Sequence, residues 1–221
     1  MKPLRILLVD DHLLFRKGLA QLLSAQPDFE VAGEATDGLE AVEQTRLLHP
    51  DLVLMDIRMP NCDGLEATRR IKTQSPEVQV VMLTVSDDEQ DLVAAVRHGA
   101  DGYLLKDLRP EALFQQLRDL TAGKAPLSRT MTGKLLRQLA QRDRPMVHPA
   151  AADVLSKREC DVLPLIVNGY SNQEIAEELG IARNTVKNHL RSIISKLGVK
   201  NRTQVAAYAV SHGLVSLPTE D

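Results

Sequence analysis

Five residues carry groups able to hold a cation and a phosphoryl group together: Asp10, Asp11, Asp56, Thr84 and Lys106. Each follows or closes a short apolar run, namely ILLV before Asp10, LVLM before Asp56, VVML before Thr84 and YLL before Lys106. Residues so placed stand at the carboxyl ends of strands, where open parallel sheets bind their ligands. Three carboxylates gathered there repel one another, at roughly 4 kcal/mol per pair for a separation of about 4 Å and an effective dielectric near 20. They call for a cation, and oxygen ligands with open positions suit Mg²⁺, which keeps waters and accepts phosphate oxygens. One divalent cation and the Lys106 ammonium balance the three carboxylates and make a phosphoryl group tolerable. Asp56 is then expected as the nucleophile, Asp10 and Asp11 as metal holders, and Lys106 and Thr84 as donors to phosphoryl oxygens. Any one Asp after a strand is as often a turn residue or helix cap; it is the joint occurrence in this order that favours the chemistry. A phosphatase working through a phospho-aspartate would use the same groups but needs a carboxylate two residues past the nucleophile as general acid and base. That position is Arg58, so an acyl phosphate on Asp56 is expected to last long enough to signal.

The elements that must position these residues alternate along the first half. Ile6 to Val9, Val31 to Ala35, Leu52 to Met55, Val78 to Leu83 and Gly102 to Leu105 read as strands. Leu13 to Leu23, Leu39 to Leu48, Leu65 to Ile71, Leu92 to Val96 and Pro110 to Leu120 have the apolar spacing of helices. The expected fold class is α/β, a (βα)5 doubly wound parallel sheet over residues 1–124. A stretch at 125–152 with Pro126, Pro145 and Pro149 reads as a linker, with one amphipathic helix through Met131, Leu135, Leu136 and Leu139.

Residues 153–217 contain helix signals only, predicting an all-α four-helix domain with a helix-turn-helix. Ser156 with Glu159, Ser171 with Glu174, and Asn201 with Gln204 each set a capping side chain three residues before Glu or Gln. The helices run from Lys157 to Asn168, Asn172 to Leu179, Arg183 to Leu197 and Arg202 to His212. Pro164 conflicts with the first, since an interior proline costs on the order of 3 kcal/mol, and a kink or early break is expected there. In the third, Val186, Leu190, Ile193, Ile194 and Leu197 recur at core-facing spacing. Arg183, Asn184, Lys187, Asn188, Arg191 and Ser195 are left on the opposite face, where Lys, Asn and Arg side chains suit the base edges of a major groove. For an isolated helix, such a polar face would be merely solvated.

Composition sets bounds. Hydrophobic residues at 43% and charged residues at 26% fit a soluble globular protein, and no apolar run reaches bilayer length. Without a signal peptide pattern at the start, the expected location is cytoplasmic. Cys62 and Cys160 form no CxxC pair, which speaks against a zinc site or disulfide framework. Net charge is −3, but residues 1–125 carry 14 Lys/Arg against 21 Asp/Glu, and residues 126–217 carry 13 against 7. An acidic first part and a basic second part point to partners of different charge. Aromatic content of 3% with no Trp argues against base-stacking recognition of single strands or RNA.

The stretches LLVDD (7–11), MDIRMPNCDG (55–64), Thr84 and YLLK (103–106) resemble the receiver domains of response regulators across residues 4–122. NQEIAEELGI, NTVKNHLRSIISKLGV and KNRTQVAAYAV resemble the LuxR-type output domain, so the whole chain resembles the NarL/FixJ type. The resemblance implies a sensor histidine kinase as phosphodonor to Asp56. It also implies that the Arg58 backbone carbonyl joins Asp11 and Asp56 on Mg²⁺, and that Tyr103 turns inward when Thr84 moves to the phosphate. For the second domain it implies double-stranded promoter DNA as partner, Lys187, Asn188 and Arg191 as base or phosphate contacts, and a homodimer formed through the helix from Arg202 to His212. Two positions depart from the family pattern: Asp107 follows the lysine where Pro is frequent, and Ala182 stands where Ser or Thr usually caps the recognition helix. That missing cap is worth about 1 kcal/mol. The rival from another class is a phosphorylation-independent DNA binder whose receiver serves only as an interaction module; failure to take up phosphate would support it.

Overall fold

The computed structural model describes residues 2–86, 88–121 and 154–215. The chain divides into two compact units, Met1–Gln115 and Gln116–Asp221. The helix expected around Met131 to Leu139 lies outside the described residues.

From Leu4 to Thr121, β1 (Leu4–Val9), β2 (Phe29–Ala35), β3 (Leu52–Met55), β4 (Gln79–Thr84) and β5 (Gly102–Leu105) alternate with α1 (Leu13–Ser24), α2 (Gly38–Leu48), α3 (Gly64–Gln74), α4 (Glu89–His98) and α5 (Pro110–Thr121), the last helix running past the division at Gln115. All strand pairs are parallel, in the order β2-β1-β3-β4-β5. The expected doubly wound α/β fold is therefore the observed one. Helices cover both faces of such a sheet, which is why its strands read as unbroken apolar runs rather than alternating ones. Ile6, Leu7, Leu52, Val53, Met55, Val80 and Val81 are all fully buried.

Strand order reverses between β1 and β3, the switch point where a doubly wound sheet opens a crevice. Register then fixes the site. Val9 pairs with Met55, so Asp10 and Asp56 leave the sheet side by side, and the Asp56 amide donates to the Val9 carbonyl at 2.9 Å. Thr84 pairs with Leu105, and the Lys106 amide donates to the Thr84 carbonyl at 2.8 Å.

Several helices of this unit extend beyond the expected ends because their caps do. Asp37 caps α2, Asp63 caps α3 and Asp88 caps α4, each accepting a backbone N–H of the first turn. α4 thus begins at Glu89 and not at Leu92, since its first residues are polar and invisible to an apolar period. Gly64 opens α3 against the acceptor strand, where a Cβ would lie 1.9 Å from the Asp56 carbonyl oxygen. Only glycine allows that approach.

The second unit comprises α6 (Lys157–Val167), α7 (Asn172–Leu179), α8 (Arg183–Leu197) and α9 (Arg202–Ser211). Leu155, Val162, Leu163, Ile166, Ile175, Val186, Ile193, Val205 and Ala209 form its core. Both serine capping boxes are made, with Ser156 and Glu159 at α6 and Ser171 and Glu174 at α7. Gly180 and Gly198 end α7 and α8 in the left-handed conformation. The break expected at Pro164 does not occur, and α6 is continuous through it. Proline there deprives only the Cys160 carbonyl of its helical partner, and Cys160 is exposed. The neighbours Val162, Leu163, Ile166 and Val167 are buried in the core, so packing outweighs the local cost.

Candidate functional site

At the switch point, Lys106 Nζ lies 2.7 Å from Asp10 Oδ2 and 2.7 Å from Asp56 Oδ2. It also stands 4.8 Å above the centre of the Phe15 ring from α1. Asp10 and Asp56 are each 4% exposed, whereas Asp11 is open to solvent. The second oxygens are held locally, Asp10 Oδ1 by the His12 amide at 2.8 Å and Asp56 Oδ1 by the Ile57 amide at 2.8 Å. None of the three caps a helix: the N-cap of α1 is His12, which makes no capping bond. Behind them the buried Arg16 guanidinium donates to the Asp10 carbonyl and, at 3.0 Å, to Glu34.

Burial pushes the Asp56 carboxyl up, against the opposing pull of Lys106. Burial also acts to lower Lys106, but its bonds to Asp10 and Asp56 outweigh it and the ammonium is held above its ordinary value. The result is one cation clamped between two buried carboxylates, with a third carboxylate at the rim.

Ligand atoms of Asp10, Asp11, His12 and Asp56 all lie within 4.8 Å of one another. Three carboxylates at that spacing fit a divalent cation with open positions. His12 is a member that the sequence reading left out; its Nδ1 is 2.8 Å from Asp11 Oδ1 and 3.3 Å from Asp10 Oδ1. The signal available was its place directly after the Asp pair.

Thr84 is buried at the end of β4, and its hydroxyl engages the Ser86 amide at 3.2 Å rather than Asp56. Tyr103 is 1% exposed, already turned inward, and its hydroxyl donates to the Ser86 carbonyl at 2.8 Å. The Arg58 side chain is exposed and reaches Asp91 of α4 at 3.7 Å. Ser86 and Asp91 were not singled out by sequence, since neither type is distinctive in a loop or at a helix start.

In the second unit, Arg183, Asn184, Lys187, Asn188, Arg191 and Ser195 are all exposed along one face of α8. Val186 and Ile193 are fully buried, and Leu190, Ile194 and Leu197 pack against the same core. The helix start lacks a side-chain cap at Ala182. Its other end is pinned by Lys196, whose Nζ lies 2.7 Å from Glu159 Oε2 on α6. A two-helix unit joined by a tight left-handed turn thus presents a cationic and amide-bearing face, a shape and chemistry that fit a major groove.

Known proteins resemble both units. Residues 6–118 match the family model of the response regulator receiver domain, and residues 153–209 that of the bacterial regulatory proteins of the luxR family. The chain is 39% identical to the nitrate/nitrite response regulator protein NarL of Escherichia coli, across 94% of this chain and 95% of that protein. It is 40% identical to the transcriptional regulatory protein LiaR of Bacillus subtilis, across 96% and 100%. Among solved structures, the response regulator ChrA of a heme-sensing two-component system is 35% identical, with a TM-score of 0.52 over 97% of this chain and all of that one. The receiver domain of a putative NarL from Mycobacterium tuberculosis is 31% identical, with a TM-score of 0.54 over 56% of this chain and all of that one.

Proposed function

The chain belongs to the response regulators that join a receiver domain to a LuxR-type helix-turn-helix, and from that premise we propose that Asp56 is the phospho-acceptor through which its DNA binding is controlled. It is a phosphorylation-controlled, DNA-binding transcription regulator of a two-component system, not a classical enzyme. The observation that carries the assignment of Asp56 is its position beside Asp10 under a shared lysine, each carboxylate 2.7 Å from Lys106 Nζ.

The phosphodonor is a sensor histidine kinase. Asp10, Asp11, Asp56 and the Arg58 carbonyl would hold Mg²⁺, which when bound offsets carboxylate and phosphoryl charge. The chain's own part is to hold Asp56 aimed, with a cation beside it. Lys106 pulls against the burial that raises the Asp56 carboxyl and stands ready to donate to a phosphoryl oxygen, with the Thr84 hydroxyl as second donor and Tyr103 as the side chain whose packing follows Thr84. Residues 1–124 form the receiver, 125–152 the linker and 153–217 the DNA-binding domain. Arg183, Asn184, Lys187, Asn188 and Arg191 contact duplex DNA, and the phosphorylated or DNA-bound form is a homodimer through the helix from Arg202 to His212. Among the described residues no helix is long and apolar enough to cross a membrane, and the place of action is the cytoplasm.

Incubating the chain with Mg²⁺ and a small phosphodonor tests the central assignment by intact-mass spectrometry. One phosphoryl group should be taken up, and Asp56→Asn should take up none. Uptake mapped to another residue, or none with metal present, would remove Asp56 from this role.

A further inference from the structure

His12 adds a nitrogen to a cluster otherwise made of oxygens. Its amide donates to Asp10 Oδ1 at 2.8 Å, and its ring turns back over the Asp pair, with Nδ1 at 2.8 Å from Asp11 Oδ1 and 3.3 Å from Asp10 Oδ1. Lys106 takes the other oxygen of Asp10, Oδ2, together with Asp56 Oδ2. The His12 side chain is 71% exposed and makes no capping bond at α1. Neither packing nor the helix start accounts for a ring aimed at two carboxylates. Its ligand atom lies within 4.8 Å of those of Asp10, Asp11 and Asp56, at the rim where an ion from solvent would enter.

We infer that His12 is a specificity-determining ligand of the cation site, its imidazole nitrogen favouring divalent transition ions such as Mn²⁺ and Ni²⁺ over Mg²⁺. This rests on the reading of the cluster as the cation site beside Asp56 and says which ion that site prefers. In an octahedral shell with ligands about 2.1 Å from the ion, neighbouring donors stand about 3 Å apart. The distances of 2.8 and 3.3 Å from Nδ1 to two carboxylate oxygens bracket that edge. Facing two acceptors, Nδ1 carries a proton before an ion arrives. That proton passes to solvent, and the neutral ring, protonated at Nε2, presents its Nδ1 lone pair to the ion. Mg²⁺ gains little from the exchange, because it is a hard ion that favours oxygen and keeps its waters. Imidazole suits the later divalent ions, and affinity for a given site rises from Mn²⁺ to Ni²⁺. One nitrogen at the rim therefore discriminates among ions that all find the same three carboxylates.

The test is cation binding by the full, unphosphorylated chain, titrated calorimetrically at one fixed pH with Mg²⁺, Mn²⁺ and Ni²⁺ in turn. His12→Ala should weaken Ni²⁺ by about tenfold and Mn²⁺ by less, with Mg²⁺ held within about twofold. His12→Gln keeps a hydrogen-bond donor for Asp10 and Asp11 but no imidazole, and should behave as the alanine variant. Asp11→Asn should weaken all three ions, which assigns the measured binding to this cluster. Mn²⁺ on the unaltered chain should show the electron-spin-echo modulation of a directly bound imidazole nitrogen, and both His12 variants should lose it. If the variants fold poorly, that signature in the unaltered chain still decides. Bound Mn²⁺ without nitrogen modulation overturns the inference. So does a change in His12→Ala that is equal for all three ions, the mark of charge alone, or recovery of Ni²⁺ binding in His12→Gln, the mark of a hydrogen bond. If the unaltered chain binds no divalent ion, the reading of the cluster as a cation site fails and the inference falls with it. If it binds Mg²⁺ and takes up phosphate at Asp56 while ion preference is indifferent to His12, the inference alone fails.

Discussion

Lys106 serves two carboxylates with one ammonium, and that arrangement governs how the acidic site responds to substitution and to pH. Replacing it by Met leaves Asp10 and Asp56 buried beside each other without a counter-charge, a loss on the order of 3 kcal/mol for one broken buried ion pair. Burial holds the folded Asp56 carboxyl above its ordinary value of 3.8, so Asp56 binds its proton more tightly folded than unfolded. Its contribution to stability is complete below 3.8 and is lost as pH rises through the folded value. Without Lys106 the shift widens. The deficit of Lys106→Met, read from urea unfolding without metal, should therefore be large at pH 7 and shrink on acidification; a deficit independent of pH would contradict the geometry. On α8, Lys187→Ala and Asn188→Ala should each weaken operator binding by roughly 1–3 kcal/mol and relax sequence preference, with the fold unchanged, as a binding titration on a mapped site would show. At this scale the sequence was informative where residue type and strand-end position coincide, as at Asp10, Asp56 and Lys106. It was silent on Ser86, because a serine acquires its role only from what α4 and β5 bring to it.

Helices are placed by caps and by packing, and the two signals differ in how plainly they are written. The capping boxes at Ser156 and Ser171 are legible as short patterns and fold as read. Pro164 reads as a break because propensity is a local rule, and the buried face of α6 overrides it. Glu159 shows how a cap becomes a tertiary contact. Its carboxylate accepts from the Ser156 amide at 2.6 Å and from Lys196 of α8 at 2.7 Å. Burial would raise its pKa, but Lys196, Ser192 and Ser156 hold it down to about 2, against an ordinary value of 4.5. A depressed carboxyl stabilises the fold above pH 4.5, and that contribution is lost as pH falls from 4.5 toward 2. The helical unit should melt more readily through that window. Glu159→Gln should abolish the extra pH dependence and cost on the order of 2 kcal/mol at pH 7, by circular dichroism. The bare start of α8 offers the opposite change: Ala182→Ser supplies the missing cap and should add about 1 kcal/mol, seen as slower amide exchange in the first turn of that helix.

At the scale of the whole chain the uneven charge is the physical quantity to follow. Residues 1–125 carry 14 Lys/Arg and 21 Asp/Glu, while residues 126–217 carry 13 and 7. A face that must meet DNA phosphates is thus tethered to an acidic domain competing for the same cations. The fragment from about Ala150 to Asp221 contains α6 to α9 with their own core, and it should bind operator DNA without phosphorylation. The full chain, unphosphorylated, should bind more weakly, and phosphorylation should recover the difference. The recovery cannot come from charge alone, since an acyl phosphate makes the receiver more acidic than the carboxylate it replaces. It requires a receiver arrangement that binds a second copy, or frees the α8 face, better when phosphorylated, because a ligand or modification with equal free energy in both states shifts nothing. Salt separates the two contributions. Electrostatic competition weakens as ionic strength rises, with exposed charges screened beyond about 8 Å at 0.15 M, whereas a packed contact persists. Operator affinity of the fragment, the full chain and its phosphorylated form should therefore be compared at two fixed salt concentrations. A gap between fragment and full chain that closes with salt identifies charge competition, and one that remains identifies a packed contact. If all three bind alike at both salts, the receiver does not restrain DNA binding, and Asp56 must act at a step after the operator is occupied.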